Sequence, residues 1–163
     1  MTRSLLLLLA LLLPVSTTAE LTPQQLDAKI DSVFNSAGED IEAAIDGLRG
    51  LRTETSNPGP VDGLIGALYF RAANADSARA ALQRAVEGRP DLAGPRLGLG
   101  RVELELAEDP KAAIPHFEQA LSIDSTYADA YAQMAVAFAE RGEAAEARRH
   151  ADRAISLNSR LPA

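Results

Sequence analysis

Apolar positions recur along the chain with the spacing of one helix face. Near the C-terminus, Ala147, Ala151 and Ala154 occupy the i, i+4 and i+7 positions that place side chains on the same side of a helix. The same stripe recurs at intervals of 34 or 35 residues, at Ala113, Phe117 and Ala120, at Ala78, Leu82 and Ala85, and at Ala44, Leu48 and Leu51. The pattern predicts four amphipathic helices of one repeated kind.

A second series of positions precedes this stripe. Met134-Ala135 follows Leu99-Gly100 by 35 residues, and Leu99-Gly100 follows Ile65-Gly66 by 34. Each unit is therefore predicted to be two helices of about 12 to 15 residues joined by a short turn. The middle unit has one extra residue, which we place in the turn within Leu106–Pro110, because turns tolerate insertions. There, Asp109 followed by Pro110 is a typical helix start.

The last unit carries a family resemblance. It reads Tyr131-x-x-Met134-Ala135-x-x-Phe138, then Gly142 and the alanine stripe. This resembles the tetratricopeptide repeat, in which large, large-small and aromatic positions in the first helix precede alanines in the second. The two units before it are similar. The resemblance implies an all-α, right-handed α-solenoid of antiparallel helix pairs.

The resemblance also divides the chain. Three repeats are expected within residues 59–163, at about 59–92, 93–127 and 128–161. Residues 20–58 keep the stripe of the second helix, but polar residues occupy the large, small and aromatic positions of the first, so we expect a degenerate repeat or an N-terminal capping hairpin. The Asn57–Pro60 segment is interpreted as either a hinge or an ordinary turn between repeats, and the turn is the simpler reading.

The first 19 residues have the three parts of a secretory signal peptide. Arg3 supplies a positive charge, an apolar run extends from Leu5 to Leu13, and small residues precede Glu20. The run is too short to cross a hydrocarbon core about 30 Å thick, which disfavours the alternative of a retained membrane anchor. The pattern predicts export to the periplasm or the extracellular space.

Composition excludes several classes of function. The chain has 16 basic and 23 acidic residues, a net charge of −7, which disfavours nucleic acid as a partner. It has no cysteine, and therefore neither disulfides nor thiolate metal sites. Its 31 alanines supply much of its hydrophobic fraction of 47%, as close helix packing requires.

Motifs for catalysis or cofactor binding are not found. The sequence lacks the phosphate-binding loop, the nucleophile elbow and the zinc-protease motif. His116 and His150 lie 34 residues apart and could share a metal with one carboxylate, but the simpler interpretation is a polar residue at a tolerant outer position of two repeats. The sequence predicts neither an enzyme nor a cofactor, and no small-molecule substrate.

The resemblance implies a binding surface, because the first helices of the family line a concave groove that commonly binds peptides. The positions implied here are Phe70, Arg71, Leu97, Arg101, Leu104, Glu105, Ala132, Val136 and Glu140. In the alternative interpretation, Leu97 and Leu104 pack against neighbouring helices and Arg101 pairs with Glu105.

These observations predict a non-catalytic adaptor or scaffold of the cell envelope that binds a peptide or helix of a partner protein, with a membrane or envelope complex among the candidate partners. The alternative is a structural repeat protein that associates with a second copy of itself as a homodimer.

Overall fold

The computed structural model describes residues 21–159, and within that range the regular elements are helices. The predicted signal peptide, residues 1–19, lies outside the described residues. The α-helices are α1 Pro23–Ala37, α2 Ile41–Arg52, α3 Gly59–Arg71, α4 Ala75–Gly88, α5 Ala93–Arg101, α6 Pro110–Ile123, α7 Ala128–Glu140 and α8 Ala144–Asn158, with a π-helical turn at Val102–Leu106. None of the helices described is long and apolar enough to cross a membrane.

Consecutive helices pair and the pairs stack in chain order. The pairs are α1 with α2, α3 with α4, α5 with α6, and α7 with α8, and each pair packs on the next one. The prediction of an all-α solenoid built from helix pairs is confirmed. Residues of α1, α2 and α3 share one buried cluster that includes Leu48, Val61 and Ile65. This shared core across the Asn57–Pro60 segment agrees with the turn rather than the hinge.

Three of the four second helices described, α2, α4 and α6, begin with a side-chain cap. Asp40, Asn74 and Asp109 accept hydrogen bonds from the backbone N–H groups three residues later, at 2.9 to 3.0 Å. Such caps satisfy donors that the first helical turn leaves without partners. The helix start predicted at Asp109-Pro110 is confirmed.

The extra residue of the middle unit lies in a helix and not in the turn. After its 9 residues, α5 continues through the 5-residue π-helical turn, where the N–H of Ala107 donates to the carbonyl of Val102 at 3.0 Å. The helices α3 and α7 have 13 residues each and contain no such turn. Our placement of the insertion within Leu106–Pro110 is therefore wrong. A π turn takes up one residue without lengthening the connection before the next helix.

Glycines allow the two helices of a pair to approach closely. A Cβ added to Gly100 would lie 2.3 Å from Cε1 of Phe117, and one added to Gly66 would lie 2.6 Å from Cγ of Leu82. Ala78 and Ala113 begin the apolar stripes of the second helices in these two pairs. Those alanines are buried, but the tightest contacts are made by the larger side chains one turn later.

We expect Gly100→Ala to lower the free energy of unfolding by about 1–3 kcal/mol, because the added methyl group must displace the buried ring of Phe117. Urea denaturation measures the change. Gly50→Ala is the matched control, since nothing lies within 4 Å of its added Cβ, and this helix substitution should be neutral or stabilise by up to about 1 kcal/mol.

The cause of the loss can be checked with a double-mutant cycle. Phe117→Leu should cost less in the Gly100→Ala background than in the parent chain, because the smaller side chain relieves the contact. Additive effects of the two substitutions would contradict this explanation.

Candidate functional site

A pocket of about 470 Å³ opens between the first helices of two neighbouring pairs, α3 and α5. Its lining is mostly apolar, with arginines among its residues. The lining residues are Pro60, Gly63, Leu64, Ala67, Phe70, Arg71, Leu82, Leu92, Gly94, Pro95, Leu97, Gly98 and Arg101. We call it the groove pocket. Its size and apolar lining are typical of sites that bind organic groups.

Small residues on both helices create the space. Gly63 and Ala67 on α3 belong to the lining, as does Gly98 on α5. A Cβ on Gly98 would lie 2.9 Å from Cδ2 of Leu82, so even the smallest side chain would crowd the pocket there. Gly98 was not among the groove positions that the sequence implied.

Arg101 lies beside the aromatic ring of the groove pocket. Its guanidinium carbon is 4.4 Å from the centre of the Phe70 ring, a cation–π contact. Its Nε donates to Glu105 at 2.8 Å, and both side chains of this ion pair are more than a third exposed. Because exposed ion pairs contribute little stability, Arg101 can exchange Glu105 for a ligand carboxylate at small cost.

The structure brings together part of the predicted groove. Phe70, Arg71, Leu97 and Arg101 line the groove pocket, and Glu105 adjoins it through its bond to Arg101. The three positions on α7 are exposed but do not contribute to the pocket; they are Ala132, Val136 and Glu140. The pairing of Arg101 with Glu105, the alternative considered from the sequence, is present.

Leu104 requires a correction. It was expected at the floor of the groove, but it is only 3% exposed and belongs to the buried cluster of Ile114, Phe117 and Met134. The cause is the π-helical turn: more residues per turn mean that side chains after Val102 advance less around the axis than the repeat spacing assumes. Leu104 therefore stabilises the core and is not available to a partner.

His150 is not at a tolerant outer position, whereas His116 is half-buried. His150 is 6% exposed, and its ring stacks on Phe138 with centres 5.2 Å apart and on Tyr131 with centres 5.9 Å apart. Burial lowers the pKa of both His150 and His116 below the usual value. Residues 21–159 contain no group of three or more histidine, cysteine, aspartate or glutamate side chains that could hold a metal ion.

A buried carboxylate joins three helices on another side of α3. Asp62, which is 1% exposed, accepts bonds from Nε of Arg52 on α2 at 2.9 and 3.1 Å and from Nε of Arg84 on α4 at 3.1 Å. A second pocket of about 470 Å³ lies beside it, and we call this the arginine pocket. It is lined by Arg49, Arg52, Ile65, Tyr69, Ser77, Ala80 and Arg84.

The contact between Asp62 and Arg84 could have been predicted from the register of the repeats. The two positions occupied by Asp62 and Arg84 recur in the next pairs as Arg96 with Gln119 and as Tyr131 with Arg153. Arg96 donates to Gln119 at 2.7 Å, and the guanidinium carbon of Arg153 is 5.7 Å from the centre of the Tyr131 ring. Aligning polar positions between repeats, and not only apolar ones, would have paired Asp62 with Arg84.

Stacked helix pairs whose first helices border a groove define an α-solenoid, and comparison with known proteins supports the tetratricopeptide repeat family. A model of that family matches residues 104–159. No curated protein sequence matches the chain. Both the resemblance seen in the sequence and the fold it implied are supported.

Solved structures extend the likeness to most of the chain. A crystal structure of MamA has 22% identity and a TM-score of 0.70, over 83% of this chain and 78% of that one. MamA from Desulfovibrio magneticus RS-1 has 15% identity and a TM-score of 0.70, over 87% and 78%. YrrB, described as a TPR protein with an unusual peptide-binding site, has 21% identity and a TM-score of 0.67, over 83% and 69%. At these identities the likeness shows the fold.

We expect Asp62→Asn to lower the free energy of unfolding by about 1–3 kcal/mol, because a neutral amide leaves two neighbouring guanidinium groups without their shared anion. Asp46→Asn is the matched control. Its carboxylate pairs with Arg49 but is 74% exposed, so its loss should change stability by less than about 0.5 kcal/mol. Urea denaturation measures both. Similar losses for the two variants would show that Asp62 does not join the helices as described.

Proposed function

We propose that this protein is a non-catalytic adaptor that binds a short segment of a partner protein in the groove pocket. The observation that carries the proposal is a preformed apolar pocket of about 470 Å³ between two first helices, with Arg101 stacked on Phe70 at its side. A concave site between packed helices binds with little reorganisation. The description of YrrB as a peptide-binding protein of the same fold adds support.

The chemistry of the groove pocket defines the segment. Leu64 and Phe70 offer apolar and aromatic surface, which suits one or two large apolar side chains of an extended strand or an amphipathic helix, whereas Leu97 is 8% exposed and belongs mainly to the core. Arg101 and Arg71 add positive charge. The preferred ligand is therefore an apolar segment with an acidic side chain or a terminal carboxylate next to it.

We place this adaptor in the cell envelope, because residues 1–19 have the pattern of a signal peptide. The partner is then an exported protein or the exposed part of an envelope or membrane complex. N-terminal sequencing of the protein recovered from its own cell tests this: a mature start near Glu20 supports export, and an intact Met1 in the cytoplasm contradicts it.

Self-association is the second candidate, and exposed apolar side chains favour it. Ile155 on α8 is 65% exposed and Val136 on α7 is 45% exposed. A second copy could cover them in a twofold arrangement. A dimeric mass in light scattering that Ile155→Asp converts to a monomer would favour this candidate over the adaptor.

A peptide library displayed on phage tests the adaptor directly. We expect selection on the full chain to enrich peptides with an apolar residue close to an acidic one. Arg101→Glu should weaken the best peptide at least about tenfold in calorimetry, because charge attraction becomes repulsion.

Arg148→Glu makes the same charge change on the exposed surface of α8 and is the matched control. It should leave the affinity within about twofold. Circular dichroism should give the same helix content for both variants. An equal loss of affinity with Arg148→Glu, or no loss with Arg101→Glu, would overturn the groove as the binding site.

A further inference from the structure

The arginine pocket contains more positive than negative charge. Arg52 and Arg84 both direct Nε to Asp62, so two guanidinium groups share one carboxylate. Within residues 21–159, their terminal amino groups have no hydrogen-bond partner. Arg49 is balanced by Asp46, and its other amino group donates to the Tyr69 hydroxyl. One positive charge therefore remains without an anion beside the pocket.

The pocket also offers apolar surface and access. Ala80 and the ring of Tyr69 line it next to the arginines, and its volume of about 470 Å³ exceeds what a bare ion needs. The side chains of Arg52 and Arg84 are 39% and 43% exposed, so their free donors reach the solvent. The arginine pocket has no lining residue in common with the groove pocket.

We propose that the arginine pocket is a second binding site, which takes the carboxylate of an aspartate or glutamate side chain on a partner protein. The fork of N–H donors on each arginine matches a carboxylate in geometry. The single uncompensated charge matches a monoanion. A phosphate dianion would leave excess negative charge next to Asp62 and Asp46, in a chain whose net charge is already −7.

The donors come from the second helices α2 and α4, which distinguishes this site from the groove between the first helices α3 and α5. The inference therefore does not depend on the peptide proposed for the groove pocket. It also gives the N-terminal hairpin a role beyond capping the stack, because Arg49 and Arg52 belong to α2.

The test is a titration of the full chain, followed by NMR at constant ionic strength, with blocked glutamate (N-acetyl-glutamate α-amide) as the probe. We expect saturable shifts of the Nε–Hε signals of Arg52 and Arg84 and of the Ser77 amide, with a dissociation constant in the millimolar range. The matched blocked glutamine should cause no saturable shift, because it lacks only the charge.

Variants locate the binding. Arg84→Gln should weaken the probe about fivefold or more, while Asp62 keeps its bond to Arg52 and the fold is retained. Arg148→Gln, an equal loss of charge on α8, should have no effect. Unchanged affinity in Arg84→Gln, equal shifts with blocked glutamine, or tighter binding of blocked phosphoserine would each overturn the proposal. Unchanged Arg101 signals would show that the probe does not bind in the groove pocket.

Discussion

The solenoid depends on how closely the two helices of each pair can approach. At the closest position, a large residue of the second helix lies against a glycine of the first, as Phe117 lies against Gly100 and Leu82 against Gly66. At the same register position of the last pair, both helices carry alanine, at Ala135 and Ala151. The two residues at this contact therefore divide the space between the helices differently from pair to pair. Dense packing requires that together they fill it.

The π-helical turn at Val102–Leu106 takes up the extra residue of the middle unit and leaves that contact unchanged. Had the residue entered the connection, the left-handed conformation of Glu108 and the cap at Asp109 would have had to change. In the helix it alters only the residues near the turn. Leu104 lies in the core, and Glu103 forms an ion pair with Arg79 of α4 at 2.7 Å. The π turn therefore also contributes a contact between neighbouring pairs.

Much of the fold could be predicted from the sequence, because the packing of successive helix pairs requires a regular repeat period. The alanine stripes, the start at Asp109 and the helical class follow from spacing and capping, which are local. The burial of Leu104 and the position of the extra residue could not be predicted, because a π turn leaves no sign in the spacing of apolar residues. The burial of His150 depends on rings at Tyr131 and Phe138 across the pair, and Asp62 depends on arginines from two other helices. The environments of His150 and Asp62 are therefore determined by contacts between helices and not by local spacing.

Helix α3 connects the two candidate sites, because its opposite faces serve different pockets. Gly63, Ala67 and Phe70 border the groove pocket, whereas Asp62 lies beside the arginine pocket and is held by arginines from α2 and α4. The ionic contact fixes the position of α3, and so fixes the wall of the groove on its other face. Because α3 is held in place, the side chains that it contributes to the groove pocket are better preorganised for binding. The hairpin before the clearer repeats is therefore part of what shapes the groove.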